Sequence, residues 1–206
     1  MQRLLEQVRR FSQEVFPQKQ TLFEKLREGQ HPEVLFITCS DSRVVPHLLT
    51  QTEPGELFVL RNAGNLVPPY DPQAPSCEAA TIEYAVRELG VRQIVVCGHS
   101  RCGAVKAILE PESLRELPAV AGCLKRFEQV AQRIQQHCGQ VEDPIQKWHQ
   151  AVEVNVLAQL DHLRTHPSVA EAEQSGRLEL HGWVYEFESG RVCVYQPQQN
   201  QFQALV

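Results

Sequence analysis

Apolar residues recur at helical spacing over the first 28 positions of the chain. They lie at Leu4, Leu5, Val8, Phe11, Val15, Leu22, Phe23 and Leu26. Such spacing puts apolar side chains on one face of a helix. Pro17 interrupts the pattern, because proline lacks the backbone donor that a helix interior needs. The sequence therefore predicts two amphipathic helices, which together form an N-terminal helical arm over residues 1–30.

Three short apolar runs, rich in β-branched residues, come next. They cover residues 34–38, 56–60 and 93–97. A continuous apolar run of this length is typical of a strand that is buried on both faces, as in a parallel sheet. Towards the end of the chain, residues 178–187 and 192–195 alternate between apolar and polar types around Ser189-Gly190. That pattern predicts a hairpin and hence an antiparallel edge.

Helical periodicity fills the segments between these runs. It predicts helices over residues 77–89, 104–109, 118–137 and 144–163. The predicted fold class is α/β, with a central, mostly parallel β-sheet that has an antiparallel edge, flanking helices and the N-terminal helical arm. With no internal repeat and no linker, we expect residues 1–206 to form a single domain.

Composition excludes several classes of function. The 20 basic residues are scattered among 25 acidic ones, for a net charge of −5, so no basic stripe for nucleic acid is present. No apolar run reaches the ~18 residues that a membrane span needs. The amino terminus lacks the apolar core of a signal peptide. We therefore expect a cytoplasmic protein.

Candidate chemistry follows two of the predicted strands. Cys39 comes directly after the first strand, and His99 and Cys102 follow the third. Because the carboxyl ends of parallel strands meet at one edge of a sheet, these side chains should converge. Two thiolates and one imidazole suit zinc, and three protein ligands with one open position are typical of a catalytic site. The pattern predicts a catalytic zinc site.

Asp41 and Arg43 lie two positions apart in the loop after the first strand. An arginine guanidinium can grip a carboxylate through two parallel hydrogen bonds and keep it ionised. Beside a metal ligand, such a pair is a candidate for catalysis.

Two other hypotheses for these loops remain open. Residues 98–102 resemble a nucleophile elbow, in which Ser100 would attack with help from Asp161 and His181, although Cys102 stands where that motif has glycine. Alternatively, Cys39 could attack phosphate in a thiol phosphatase, with Arg43 as the phosphate ligand. Three residues separate that pair, where such enzymes usually have five.

Several segments together resemble the β-class carbonic anhydrases. They are Cys-Ser-Asp-Ser-Arg at 39–43, Pro-Gly-Glu-Leu-Phe-Val-Leu-Arg-Asn-Ala-Gly-Asn at 54–65, Gly-His-Ser-Arg-Cys-Gly at 98–103, and His-Gly-Trp-Val-Tyr at 181–185. Their order and spacing match that family over nearly the whole chain. The chain is most similar to the cyanobacterial members, some of which work in carboxysomes.

The resemblance implies the zinc-dependent, reversible hydration of CO2 to bicarbonate by attack of zinc-bound hydroxide. It implies that Cys39, His99 and Cys102 hold the zinc and that Asp41 and Arg43 form the catalytic pair. It further implies a substrate pocket formed by Gln30, Phe58, Ala63, Tyr84 and Gly103, some of which reach in from a neighbouring subunit.

A second branch of the family has a regulatory bicarbonate pocket. That branch uses a tryptophan where this chain has Phe36, although Arg61 and Tyr185 match. We therefore expect the open, plant-like form of the site.

The resemblance also implies how the protein assembles. It implies a homodimer, built into a larger homo-oligomer, with residues 1–30 as a dimer contact. A carboxysome scaffold protein is a candidate partner, and the carboxysome a candidate location. Two other functions stay open: a scaffold that has lost turnover, and a hydrolase of carbon disulfide or carbonyl sulfide on the same site. The intact Asp41–Arg43 pair argues against the scaffold.

Overall fold

A computed structural model describes residues 1–205, which form two compact units, residues 1–31 and residues 32–205. The first unit contains helix α1 (Gln2–Arg10), a π-helical turn (Phe11–Val15), a 3-10 turn (Phe16–Lys19) and helix α2 (Gln20–Leu26). The predicted N-terminal helices are therefore present, and the irregular turns lie around Pro17. Within this unit, the Phe16 and Phe23 rings stack with their centroids 5.2 Å apart.

The second unit is built on one six-stranded sheet. Its strands are β1 (Val34–Cys39), β2 (Leu57–Asn62), β3 (Gln93–His99), β4 (Glu179–Glu186), β5 (Arg191–Gln196) and β6 (Gln201–Ala204). They lie in the order β2-β1-β3-β4-β5-β6. The first four strands in that order are parallel, whereas β5 and β6 are antiparallel to their neighbours. The mostly parallel sheet with an antiparallel edge is confirmed.

Helices pack around this sheet. They are α3 (Pro46–Thr50), α4 (Cys77–Glu83), α5 (Gly103–Leu109), α6 (Pro118–Lys125), α7 (Glu128–Cys138), α8 (Pro144–Arg164) and α9 (Pro167–Gln174). A π-helical turn (Tyr84–Glu88) extends α4, and a 3-10 turn (Pro111–Leu114) follows α5. None of the helices in the described residues has the length and apolarity needed to cross a membrane.

The single helix predicted over residues 118–137 is wrong, because the structure has α6 and α7 there. The break falls at Phe127, whose φ of −115° and ψ of 29° leave the helical region. Its ring is only 4% exposed and packs into the main core. The sequence periodicity did not detect this turn because Phe127 is itself an apolar residue and continues the pattern of the two helices.

Helix α8 lies against β3 and β4, where glycine permits a close approach. A Cβ atom at Gly98 would lie 2.7 Å from Val156 Cγ2 and 2.9 Å from Val152 Cγ1. The residue must therefore be glycine for α8 to pack this closely on the sheet. This contact holds the carboxyl end of β3 in place, one residue before His99.

Candidate metal centre

Three potential metal ligands meet at the carboxyl edge of the sheet. Cys39 ends β1, His99 ends β3, and Cys102 occupies the position before α5. Their ligand atoms all lie within 4.8 Å of one another, and all three residues are buried. Arg101 takes a left-handed φ of 52°, which turns the loop so that His99 and Cys102 face the same point. Among residues 1–205, no other group of histidine, cysteine or acidic side chains forms such a cluster.

The hydrogen bonds of His99 fit metal ligation. Its Nδ1 lies 2.8 Å from the carbonyl oxygen of Ser100. Because a carbonyl oxygen only accepts, Nδ1 carries the proton and Nε2 presents a lone pair. That Nε2 is buried and has no hydrogen-bond partner within the described part of the chain. A buried imidazole nitrogen with its tautomer fixed in this way is the usual arrangement of a zinc-binding histidine.

The two thiols share a hydrogen bond that favours ionisation of one of them. A hydrogen bond from Cys102 lowers the pKa of Cys39 to about 4, and contacts with His99 and the Gly64 backbone act in the same direction. The Gly64 N–H lies 3.4 Å from Cys39 Sγ. The pKa of Cys102 is raised, because it donates the hydrogen bond to Cys39 and is buried. These contacts favour the thiolate form of Cys39, which is the form of cysteine that binds metals.

Asp41 and Arg43 form the predicted clamp beside this group. Arg43 Nε lies 2.9 Å from Asp41 Oδ1, and Arg43 Nη2 lies 2.7 Å from Oδ2. The Arg43 backbone N–H donates a third hydrogen bond to Oδ1, at 3.0 Å. These bonds hold the pKa of Asp41 far below its usual value. Asp41 Oδ2 is also 3.9 Å from His99 Nε2, so an ionised carboxylate borders the cluster.

Arg61 supports the loop from the neighbouring strand β2. Its guanidinium donates to the carbonyl oxygen of Cys39 at 2.9 and 3.1 Å and to that of Asp41 at 2.9 Å. The sequence identified Arg61 only as a match to the regulatory bicarbonate pocket. Its hydrogen bonds to the Cys39 and Asp41 carbonyl oxygens were not predicted. Phe36, which occupies the tryptophan position of that pocket, packs edge-on against Trp183, with their centroids 5.9 Å apart.

A ladder of buried amides holds the segment that contains Gly64. Asn155 Nδ2 donates to the Gly64 carbonyl oxygen at 3.1 Å, and Gln159 Nε2 donates to Asn155 Oδ1 at 2.9 Å. Gln159 Oε1 in turn accepts from the Val67 N–H at 2.8 Å. Both amide side chains belong to α8 and are fully buried. Sequence reasoning missed them, because polar positions on a long helix are usually solvent-facing.

Two predicted pocket residues lie away from the cluster within the chain. Phe58 pairs with Leu35, whereas Cys39 pairs with Asn62, four residues further along β2. At about 3.3 Å per residue, that separation is about 13 Å. The Phe58 ring instead contacts Tyr84, with the centroids 6.1 Å apart, and Tyr84 is 48% exposed.

The other predicted pocket residues have different positions. Ala63 directly precedes Gly64, and Gly103 directly follows Cys102, so both adjoin the cluster along the backbone, and both are exposed. Gln30 belongs to the N-terminal unit of residues 1–31.

The residues nominated for a serine hydrolase do not assemble. The Ser100 hydroxyl donates to Glu188 Oε2 at 2.5 Å. Asp161 is paired with Arg133 at 2.6 Å. His181 Nε2 lies 3.7 Å from Glu179 Oε2. Because neither candidate partner contacts the serine, the geometry gives no activated hydroxyl.

The thiol phosphatase is not supported either. The donating edge of the candidate phosphate ligand that Arg43 Nε and Nη2 form is taken by Asp41. The candidate nucleophile, Cys39, is 6% exposed and lies in the metal-ligand group.

The fold and the cluster together define a class of protein. A parallel sheet presents three soft ligands at its carboxyl edge, and an ionised carboxylate held by arginine lies beside them. Three protein ligands that leave one metal position open distinguish a catalytic zinc centre from a structural one. These are the features of a candidate catalytic metal centre.

Comparison with known proteins identifies the family. Residues 34–192 match the family model described as carbonic anhydrase. The carbonic anhydrase of Pseudomonas aeruginosa is 52% identical over 95% of this chain and 88% of its own length. The carbonic anhydrase of a Synechocystis strain is 46% identical over 95% of this chain and 71% of its own length. The chain belongs to the carbonic anhydrase family.

Solved structures assign the β class. The β-carbonic anhydrase CcaA superposes with a TM-score of 0.94 at 45% identity, covering 99% of this chain and 98% of its own. A tetrameric β-carbonic anhydrase from Sordaria macrospora superposes with a TM-score of 0.83 at 31% identity, covering 94% of this chain and 95% of its own. The chain is thus a β-class member, and oligomeric proteins occur among its structural neighbours.

Proposed function

We propose that this protein catalyses the reversible hydration of CO2 to bicarbonate, with zinc bound by Cys39, His99 and Cys102. The observation that carries the proposal is the convergence of these three buried ligand atoms within 4.8 Å in a chain of the carbonic anhydrase family. When bound, zinc supplies a Lewis acid that lowers the pKa of water and so provides the nucleophile.

Asp41 is the residue that orients the water. Its carboxylate is ionised, and Oδ2 lies 3.9 Å from His99 Nε2, within reach of a water molecule in the site. An ionised carboxylate only accepts hydrogen bonds, so Asp41 Oδ2 orients that water by accepting a hydrogen bond from it. One lone pair of the water oxygen is then left to face CO2. Arg43 keeps the carboxylate ionised and fixes its orientation through two parallel hydrogen bonds.

The charge of the ligand set explains why such a carboxylate is needed. Two thiolates and a neutral imidazole contribute a charge of −2, which cancels that of Zn²⁺. A set of three histidines leaves the full charge of the metal to act on water. We expect weaker activation of water here, and therefore activity that rises towards alkaline pH.

The substrate pocket is completed by a second copy of the chain. Phe58 lies about 13 Å along β2 from the metal end of the strand, and its ring contacts the partly exposed Tyr84, so this aromatic pair lies away from the site of its own chain. In a homodimer the pair from one subunit can line the site of the other, beside Ala63 and Gly103. Such a wall suits CO2, which is uncharged. Gln30 and the exposed apolar residues of α1 add to the dimer contact. The dimers then form a larger homo-oligomer.

We place the protein in the cytoplasm, where thiolate ligands stay reduced. All seven cysteines are free in the structure. A carboxysome location with a scaffold partner is the alternative, which rests on the likeness to cyanobacterial members. Fractionation of the native cells into shell and soluble pools distinguishes the two.

Zinc analysis and stopped-flow CO2 hydration on the same sample test the proposed function. We expect about one zinc per chain and rapid hydration, both lost in Cys102→Ser. The matched control is Cys97→Ala, because Cys97 is a buried cysteine of β3 outside the ligand group. Full zinc without hydration would refute the proposal and favour a scaffold or a sulfide hydrolase. Absence of zinc, with an esterase activity that Ser100→Ala abolishes, would favour the serine hydrolase.

A further inference from the structure

The turn between β4 and β5, residues 187–190, contacts both loops of the metal centre. Its first residue, Phe187, is half-buried, and the Arg43 guanidinium carbon lies 4.1 Å from the centre of its ring. The same ring lies 6.3 Å from the His99 imidazole. Phe187 therefore touches the carboxylate clamp from the β1 loop and a candidate ligand from the β3 loop.

Hydrogen bonds tie this turn to the ligand loop. The Ser100 N–H donates to the Tyr185 carbonyl oxygen at 2.9 Å, and the Phe187 N–H donates to Ser100 Oγ at 3.3 Å. Glu188 accepts from Ser100 Oγ at 2.5 Å and from Arg101 Nε at 2.7 Å. The Phe187 ring consequently keeps a fixed position relative to His99 and Cys102.

The Arg43 guanidinium is held on one edge and one face. Asp41 occupies the edge, through Nε and Nη2. Phe187 covers the face, within the distance at which a cation is attracted to an aromatic ring. Among the described residues, the guanidinium makes one further hydrogen bond, a long one of 3.5 Å from Nη2 to the Arg101 carbonyl oxygen. With 46% of its side chain exposed, Arg43 has open space to turn into if the ring is removed.

Rotation of Arg43 would release Asp41. Asp41 Oδ2 is 3.9 Å from His99 Nε2, so a freed carboxylate can reach the cation that Nε2 binds. Carboxylate oxygen is an accepted zinc ligand and would compete with water there.

We infer that Phe187 is a positioning residue: by supporting the face of Arg43, its ring keeps Asp41 engaged by the guanidinium and away from the metal. This inference rests on the proposed function, because it assigns Phe187 to the same site. It extends the functional unit beyond the ligands and the Asp41–Arg43 pair to the β4–β5 turn.

The test is a double-mutant cycle in the zinc-loaded protein. Phe187→Leu removes the ring face and should lower kcat/KM about two- to fivefold at unchanged zinc content. In an Arg43→Ala background the same substitution should change kcat/KM less than 1.5-fold, because nothing remains for the ring to support. Phe187→Tyr keeps the ring face and should retain the kcat/KM of the wild-type protein. Phe202→Leu, which removes an aromatic ring from β6, is the control and should leave kcat/KM unchanged.

A second readout does not depend on turnover. In cobalt-substituted protein, Phe187→Leu should shift the visible spectrum towards that of Arg43→Ala, since both variants free Asp41. An unchanged spectrum, an unchanged kcat/KM, or an equal loss in both backgrounds would overturn the inference. If Phe187→Leu loses its metal, Phe187→Met serves in the same cycle. If wild-type protein hydrates CO2 but the double-mutant cycle does not give the expected result, only the role of Phe187 is refuted. If the wild-type protein is inactive, the proposed function itself is refuted.

Discussion

Gln159 forms two of the hydrogen bonds in the buried amide ladder of α8. This side chain accepts from the Val67 N–H and donates to Asn155 Oδ1. Asn155 then donates to the Gly64 carbonyl oxygen, and Gly64 N–H contacts Cys39 Sγ. Gln159→Leu replaces the amide by an apolar group of similar size, so both hydrogen bonds are lost without a large cavity.

The expected loss of stability follows from the groups left behind. Val67 N–H and Asn155 Oδ1 would be buried without a partner, and each such group costs about 1–3 kcal/mol. Added leucine packing offsets part of this cost, so we expect a net loss of about 2–4 kcal/mol. That is a large share of the 5–15 kcal/mol that stabilises a typical domain.

Denaturant unfolding of the zinc-loaded protein measures this loss. Wild type and variants are compared at one protein concentration, because subunit association affects apparent stability. Gln146→Leu is the matched control, since Gln146 is exposed on the same helix, and it should change stability by less than about 0.5 kcal/mol. A loss below about 1 kcal/mol for Gln159→Leu would show that the ladder does not stabilise this segment.

Three further outcomes follow from the structure. Asp41→Ala should keep its zinc but lose about 100-fold or more in kcat/KM, and an unimpaired variant would remove Asp41 from the mechanism. Burial lowers the pKa of His166, so the unfolded chain binds more protons below pH ~6.5 and stability falls as the pH drops. His166→Gln should reduce the fall in unfolding free energy between pH 7.5 and 5.5; an identical fall would contradict this. Burial raises the pKa of Cys97 to about 12, whereas Cys77 is exposed. Mass spectrometry should therefore find Cys77 alkylated long before Cys97. Equal rates of alkylation would contradict the burial of Cys97.

Local patterns were enough to predict most of the sheet. The β-branched runs marked β1, β2 and β3 to within two residues at either end, and Ser189-Gly190 marked the turn before β5. Strand β6 was not predicted, because Gln-Phe-Gln-Ala is a short segment with only one large apolar residue. Helix α9 was missed as well. It has only a few apolar positions, and it is stabilised mainly by tertiary contacts, such as the packing of Val169.

In the candidate site as well, local sequence patterns predicted some residues and missed others. Cys39, Asp41 and Arg43 lie within five residues, and His99 and Cys102 within four, so spacing alone indicated their chemistry. The residues that hold those loops lie far away in sequence. Gln159 is 92 residues from Val67, and Phe187 follows a different strand from the one before Arg43. Such contacts depend on how the sheet is assembled and leave no local signal.

Zinc K-edge X-ray absorption on the wild-type protein tests the central claim most directly, because it counts the ligand atoms around the metal. Ligation by Cys39, His99 and Cys102 predicts two sulfur scatterers at about 2.3 Å and two nitrogen or oxygen scatterers at about 2.0 Å. Cys97→Ala should leave both sulfurs in place. A metal shell without sulfur, or one with four sulfurs, would contradict the proposed centre.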